Sequence, residues 1–183
     1  DLHPLVAAAG QAPDLKKIKK NGDHREPICT VGIARDPAFC FYYQDNLDRL
    51  AAAGARLVFF SPLRDRLPDV DAVYIGGGYP ELHLPGLEAS LCTRDLCRAA
   101  DEGMPIHAEC GGLMYLSAAI RTDRTYRMCG ILPATAEMAG RVQALGYVKG
   151  KSTVNHTFLA SPRIVTGHEF HYSHLDPDTD SRY

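Results

Sequence analysis

From Pro27 onward, short apolar runs rich in β-branched residues alternate with longer amphipathic stretches. Ile28 to Ala34 predicts a first strand. Cys40 to Ala53 predicts a helix, with Tyr43, Leu47 and Leu50 at i, i+4 and i+7 and Gly54 as its stop. Arg56 to Phe60 predicts a second strand, and Asp71 to Ile75 a third that runs into Gly76-Gly77-Gly78. A helix is expected from about Pro85 to Glu102, then a short apolar strand ending at Cys110, then a helix to about Ile120. Beyond it, Met128 to Leu132, Gln143 to Lys149, Ser152 to Phe158 and Ile164 to Tyr172 read as strands of a β-rich second half. This alternation implies an α/β fold with a mostly parallel central sheet flanked by helices, whose sites collect at the carboxyl ends of the strands.

Residues 1–26 stand outside this pattern. They are weakly helical, pass through Lys16-Lys17-Ile18-Lys19-Lys20, and end in a polar stretch before Pro27. They are expected to be the remnant of an upstream domain and its linker, leaving residues 27–183 as one domain. A hydrophobic content of 45%, a charged content of 23% and a net charge of −2 are those of an ordinary globular chain, with no electrostatic footprint for nucleic acid. No apolar run approaches a membrane span and no signal peptide is visible, so the expected location is the cytoplasm. Cys29, Cys40, Cys92, Cys97, Cys110 and Cys129 are scattered with no C-x-x-C pair, which suits reduced thiols rather than a zinc site. Gly146 to Ser152 approaches a phosphate-binding loop, but the required first glycine falls on Leu145, so no nucleotide site is expected in this chain.

Chemistry concentrates in three places. In Ala108-Glu109-Cys110-Gly111-Gly112 a strand runs into a cysteine with small residues two places before and after it, the steric requirement of a nucleophile elbow. A helix starting there offers unpaired N–H groups to an oxyanion and is expected to lower the thiol pKa. A buried cysteine at a tight turn is the competing interpretation of those residues alone. Gly76-Gly77-Gly78-Tyr79 is a second glycine loop, with backbone N–H groups able to approach a ligand. Near the C-terminus, strand alternation places Glu169, His171 and Ser173 on one face and His168, Phe170 and Tyr172 on the other, so only one histidine is expected to face the thiol. His83 and His107 compete for the same role.

Together, "DPAFCFYYQDNL", "GARLVFFSPLRD", "GGGYPELHLPGLEAS", "HAECGGLMYL" and "GHEFHYS" resemble the C-terminal class I glutamine amidotransferase domain of the cobyrinate (hydrogenobyrinate) a,c-diamide synthase family, over roughly Pro27 to Ser173. The resemblance implies a flavodoxin-like fold and a glutaminase that supplies ammonia for amidation in cobalamin biosynthesis. It makes Cys110 the nucleophile and His171 its base; backbone N–H groups at Gly77 or Gly78 and at Gly111 are then placed to receive the oxyanion. Ser173 stands where related domains carry an acid, so Ser173, or Glu169 in its place, is expected to orient the imidazole, with Tyr79 a further contact. The implied partners are glutamine and an upstream domain of the same polypeptide that binds ATP, Mg²⁺ and the corrinoid; no cofactor is implied for this domain, and self-pairing as a homodimer is left open. The Ni-sirohydrochlorin a,c-diamide synthases resemble it equally, while a stand-alone cysteine hydrolase or a non-catalytic domain on the same fold are the rival classes.

Overall fold

The apolar β-branched runs become the strands of a parallel sheet, and the glycine-bounded turns between them carry the candidate site. The structure is a computed structural model that describes residues 2–11, 26–151 and 164–176. In chain order it contains α1 (His3–Gly10), β1 (Cys29–Ala34), β2 (Phe39–Phe41), α2 (Gln44–Ala52), β3 (Ala55–Phe60), β4 (Ala72–Ile75) and β5 (Gly77–Gly78). A 3₁₀ turn (Pro80–Leu82), α3 (Leu84–Ala89), α4 (Leu91–Asp101), β6 (Ile106–Ala108) and α5 (Gly111–Leu116) follow. The second half is made of β7 (Ser117–Arg121), β8 (Thr125–Arg127), β9 (Leu132–Met138), β10 (Ala144–Lys151), β11 (Ile164–His171) and β12 (Ser173–Asp176).

The central sheet has the order β3-β1-β4-β6, all parallel. The chain steps outward from β1 to β3, then returns to the other side of β1 for β4. This reversal leaves a crevice at the carboxyl ends of β1 and β4, the usual place for a site in such sheets. Val73 and Ile75 are buried in one cluster with Leu96 of α4 and Tyr115 of α5, and Ile33 is buried in a second with Leu47 of α2 and Tyr74. Each such side chain contributes about 1.5–3 kcal/mol by leaving water. A second sheet, β12-β9-β7-β8, extends from α5, and β10 and β11 form a separate antiparallel ribbon. Ala139 N donates to Tyr172 O at 2.7 Å, so the ribbon continues the β9–β12 pair past a bend. α1 buries none of its residues.

Several boundaries depart from the sequence expectation for identifiable reasons. The helix expected from Cys40 begins only at Gln44, because Phe39–Phe41 pairs with Gly77–Gly78 as a short strand. The single helix expected over Pro85 to Glu102 is split at Ser90, whose extended backbone and hydroxyl cap a new helix by accepting from Cys92 N at 3.1 Å. The elbow helix stops at Leu116 rather than Ile120. Ser117 is extended there, and its hydroxyl, with one proton to share, lies 2.6 Å from Met114 O and 2.8 Å from Ala119 O where β7 starts. In place of a strand over Met128 to Leu132, Gly130 turns the chain with φ +72° between β8 and β9. The strand expected over Ser152 to Phe158 lies outside the described residues.

Candidate active site

Cys110 sits at the carboxyl end of β6 and is the one described non-glycine residue with positive φ, at φ 50° and ψ −111°. An L-residue keeps such a conformation only where its surroundings over-determine it. Here Glu109 N donates to Ile75 O at 3.0 Å, Gly112 N to Glu109 O at 2.8 Å and Met114 N to Cys110 O at 3.2 Å. A Cβ on Gly112 would stand 2.4 Å from Ile75 O, so the second residue after the cysteine has to be glycine. One on Gly111 would meet Pro80 Cδ at 2.9 Å and Gly78 N at 3.2 Å, which brings the start of α5 against the glycine loop.

That loop is crowded. β5 pairs antiparallel with β2, and a Cβ on Gly78 would lie 2.1 Å from Ala38 O. A Cβ on Gly77 would lie 3.5 Å from Cys110 Cβ. None of Gly76, Gly77 and Gly78 has positive φ; close packing on β2, rather than turn geometry, demands glycine at Gly76 and Gly78, while a Cβ on Gly77 would make only ordinary contacts. Buried Asp36 holds β2 in turn. Its Oδ1 accepts from Ala38 N (2.8 Å) and Phe39 N (3.2 Å), and its Oδ2 from Ser61 Oγ (2.8 Å) and Leu63 N (3.0 Å). Gly77, Gly78, Cys110 and Gly111 are thus brought together as the sequence expects.

The thiol reaches solvent but does not have the lowered pKa expected of a helix N-terminus. Burial pushes it up, and the carboxylates of Glu81 and Glu109 add to the rise. The Gly111 N–H opposes the burial effect and is outweighed by it, while each carboxylate contributes less than that N–H. α5 has only six residues, too short a dipole to dominate desolvation. At neutral pH this cysteine is therefore a thiol that needs a base. Its neighbour Glu109 is held by His107 Nε2 (2.9 Å) and the Tyr74 hydroxyl (3.4 Å), and the His107 contact leads in pulling the Glu109 pKa down. His107 is committed there, and His83 sits at the start of α3.

Cys110 and His171 line one cleft of about 670 Å³, together with Glu109, Leu113, Met114, His168, Glu169, Phe170, Ser173, His174 and Leu175. Three histidines, His168, His171 and His174, line this cleft. The chain bends at Tyr172 between β11 and β12, so residues from both faces of the ribbon reach the cleft. His174 was not singled out from sequence; it lies one residue beyond the GHEFHYS motif, and its Nε2 is 3.5 Å from Glu137 Oε2. Ser173 does orient the imidazole, but through its backbone carbonyl, which accepts from His171 Nδ1 at 2.7 Å. That bond fixes the proton on Nδ1 and leaves Nε2 as the acceptor of neutral imidazole. Glu169 Oε2 stands 3.8 Å from Nε2, beyond hydrogen-bond reach. Tyr79 packs edge-on against Phe41, ring centroids 5.1 Å apart, and is not among the residues lining the cleft. A second cavity of about 430 Å³ beside α2 is mostly apolar and shares Glu109 as part of its wall. No helix among the described residues is long and apolar enough to cross a membrane.

Residues 30–182 match the family model of the CobB/CobQ-like glutamine amidotransferase domain. The cobyrinate a,c-diamide synthase of Methanothermobacter thermautotrophicus is 47% identical over 176 residues, covering 95% of this chain and 38% of that protein. The protein of the same name from Leptospira interrogans is 41% identical over 182 residues, covering 97% of this chain and 40% of that protein. The chain therefore spans about two fifths of the length of these curated relatives. Among solved structures, PurLQS from Thermotoga maritima superposes with a TM-score of 0.54 at 14% identity, covering 81% of this chain and 68% of that one, a likeness of fold.

Proposed function

The chain belongs to the CobB/CobQ-like glutamine amidotransferase domain family, and on that premise we propose that its Cys110 cleft hydrolyses glutamine and releases ammonia. The observation that carries this is a cysteine locked at positive φ against a glycine loop, on a cleft that also presents an imidazole with its Nε2 lone pair available. His171 Nε2 takes the Cys110 proton as sulfur attacks the carboxamide carbon of glutamine. The carbonyl oxygen becomes an oxyanion received by the N–H of Gly77 or Gly78 and that of Gly111, each donor contributing about 3–4 kcal/mol. The imidazolium returns its proton to the departing nitrogen, leaving ammonia and a γ-glutamyl thioester on Cys110. Water, deprotonated by His171, then attacks the thioester and frees glutamate and the thiol.

The names of the relatives support a further reading, in which the ammonia amidates the a and c carboxylates of cobyrinate in a cytoplasmic enzyme. The carboxylate would be activated by ATP and Mg²⁺ in the part of such a synthase that this chain does not match. Nothing in the Cys110 chemistry depends on which tetrapyrrole accepts the nitrogen. A glutamine-derived chloroketone tests the assignment. Peptide mapping should find Cys110 alkylated ahead of Cys29, Cys40, Cys92, Cys97 and Cys129, and free glutamine should protect it; modification led by Cys97 or Cys129 would refute it.

A further inference from the structure

We propose that Tyr42 is a positioning residue for the oxyanion-binding glycine loop, its hydroxyl tying Gly76 to the carboxyl end of β1; this rests on the glutaminase reading of the Cys110 cleft. Tyr42 follows β2 and lies across the crevice between β1 and β4. Its hydroxyl donates to Ala34 O, the last carbonyl of β1, and accepts from Gly76 N–H at 2.8 Å. The ring fills the space a side chain on Gly76 would need, since a Cβ there would stand 2.8 Å from the ring carbons Cε1 and Cζ. Burial raises the pKa of the phenol, so it stays neutral and can donate and accept at once.

Glycines carry no side chain to lock their peptide planes, so the loop takes its orientation from backbone hydrogen bonds. Two anchors bracket Gly77 and Gly78: Tyr42 holds Gly76 N before them, and Ala38 O accepts from Tyr79 N at 3.0 Å after them. Gly76 is buried, so without the hydroxyl its N–H loses its partner away from water. Turning that peptide to find another partner swings the Gly77 amide. The same tyrosine stands edge-on to Tyr74 with ring centroids 5.2 Å apart, and the Tyr74 hydroxyl donates to Glu109, the residue before the nucleophile, at 3.4 Å. Tyr42 thereby braces the glycine loop through its hydroxyl and touches the elbow through Tyr74.

The oxyanion exists only along the reaction path, so loss of the anchor acts on turnover rather than on glutamine binding. In Tyr42→Phe, which keeps the ring, kcat for glutamine hydrolysis should fall about 10-fold to 100-fold while KM stays within about twofold of the parent. Alkylation of Cys110 by iodoacetamide needs no oxyanion hole and should be unchanged. Tyr43→Phe, at an exposed neighbouring ring, should match the parent in both. A kcat within about twofold of the parent, or a KM rise at constant kcat, would overturn the proposal. So would a kcat loss matched by an equal loss of iodoacetamide reactivity, which would place the damage at the thiol. Hydrogen exchange at the Gly76 amide reads the anchor without activity: it should quicken in Tyr42→Phe, and unchanged exchange rejects the tie. A parent protein that hydrolyses no glutamine would instead defeat the glutaminase reading, with the exchange measurement still deciding the anchor.

Discussion

Around Cys110, Gly76, Gly78, Gly111 and Gly112 all occupy positions where an added Cβ would come within 3.0 Å of another atom. Along the ribbon that carries His171, a Cβ on Gly150 or Gly167 would meet its nearest neighbour at 3.6 or 3.9 Å, an ordinary contact. The burial of the two regions differs in the same direction. Gly76, Gly77, Gly111 and Gly112 are buried, whereas Leu145, Tyr147, Ile164 and Phe170 of the ribbon are exposed at 69%, 86%, 69% and 49%. The proposed nucleophile and its oxyanion donors are thus fixed by the core, whereas the proposed base is carried by a two-stranded element that buries little. A two-stranded ribbon has small stability of its own. The lesson is that a change in the first region should act on folding as well as chemistry, while a change in the second should act on chemistry alone.

The largest expected effect breaks the comparison most sharply if it fails. His171→Ala should lower kcat for glutamine hydrolysis by about 10² to 10⁴ and shift the melting temperature little, whereas His168→Ala should retain much of the activity. Steady-state kinetics beside thermal unfolding reads both. A fall of less than about tenfold for His171→Ala would move the base role to His168, His174 or a group beyond the described residues. Next, Gly78→Ala should destabilise the fold by about 3 kcal/mol or more, because a backbone carbonyl would have to move. The matched Gly150→Ala should stay within about 0.5 kcal/mol by denaturant titration. Equal penalties would show that the ribbon is as tightly specified as the elbow.

The smallest effect concerns pH. Because burial holds the Cys110 thiol in its neutral form, with Glu81 and Glu109 adding to the shift, its alkylation by iodoacetamide should rise with pH through a midpoint above that of an ordinary thiol. That midpoint should be the same in His171→Ala. A midpoint below the ordinary value, lost in the variant, would reveal a thiolate–imidazolium pair already formed in the resting protein.

The parallel sheet was legible because Thr30 to Ala34, Leu57 to Phe60 and Ala72 to Ile75 are apolar runs bounded by turn residues. The elbow was legible because the small-x-Cys-x-Gly spacing states a steric requirement that the Gly112 to Ile75 contact now explains. β2 was hidden, since Phe39-Cys40-Phe41 also fits a helix and its partner is a pair of glycines far along the chain. Helix-like composition equally hid the strand that begins at Ser117, where a hydroxyl bonds its own neighbourhood. Contacts made by backbone atoms leave no mark on residue type. For that reason the Ser173 carbonyl behind His171, and the Gly76 N–H on Tyr42, could not be read from the letters. The sign of the Cys110 shift was missed because a sequence shows that a helix starts but not how much water it excludes.

The left-handed backbone at Cys110 also decides which sulfur-free variant is a fair stand-in for the parent protein. Serine or alanine there keeps the twisted hinge under tension and preserves the shape presented to a bound amide. Glycine releases that tension and frees the hinge to swing. A sulfur-free version made with glycine would therefore be the sturdier molecule and the poorer mimic.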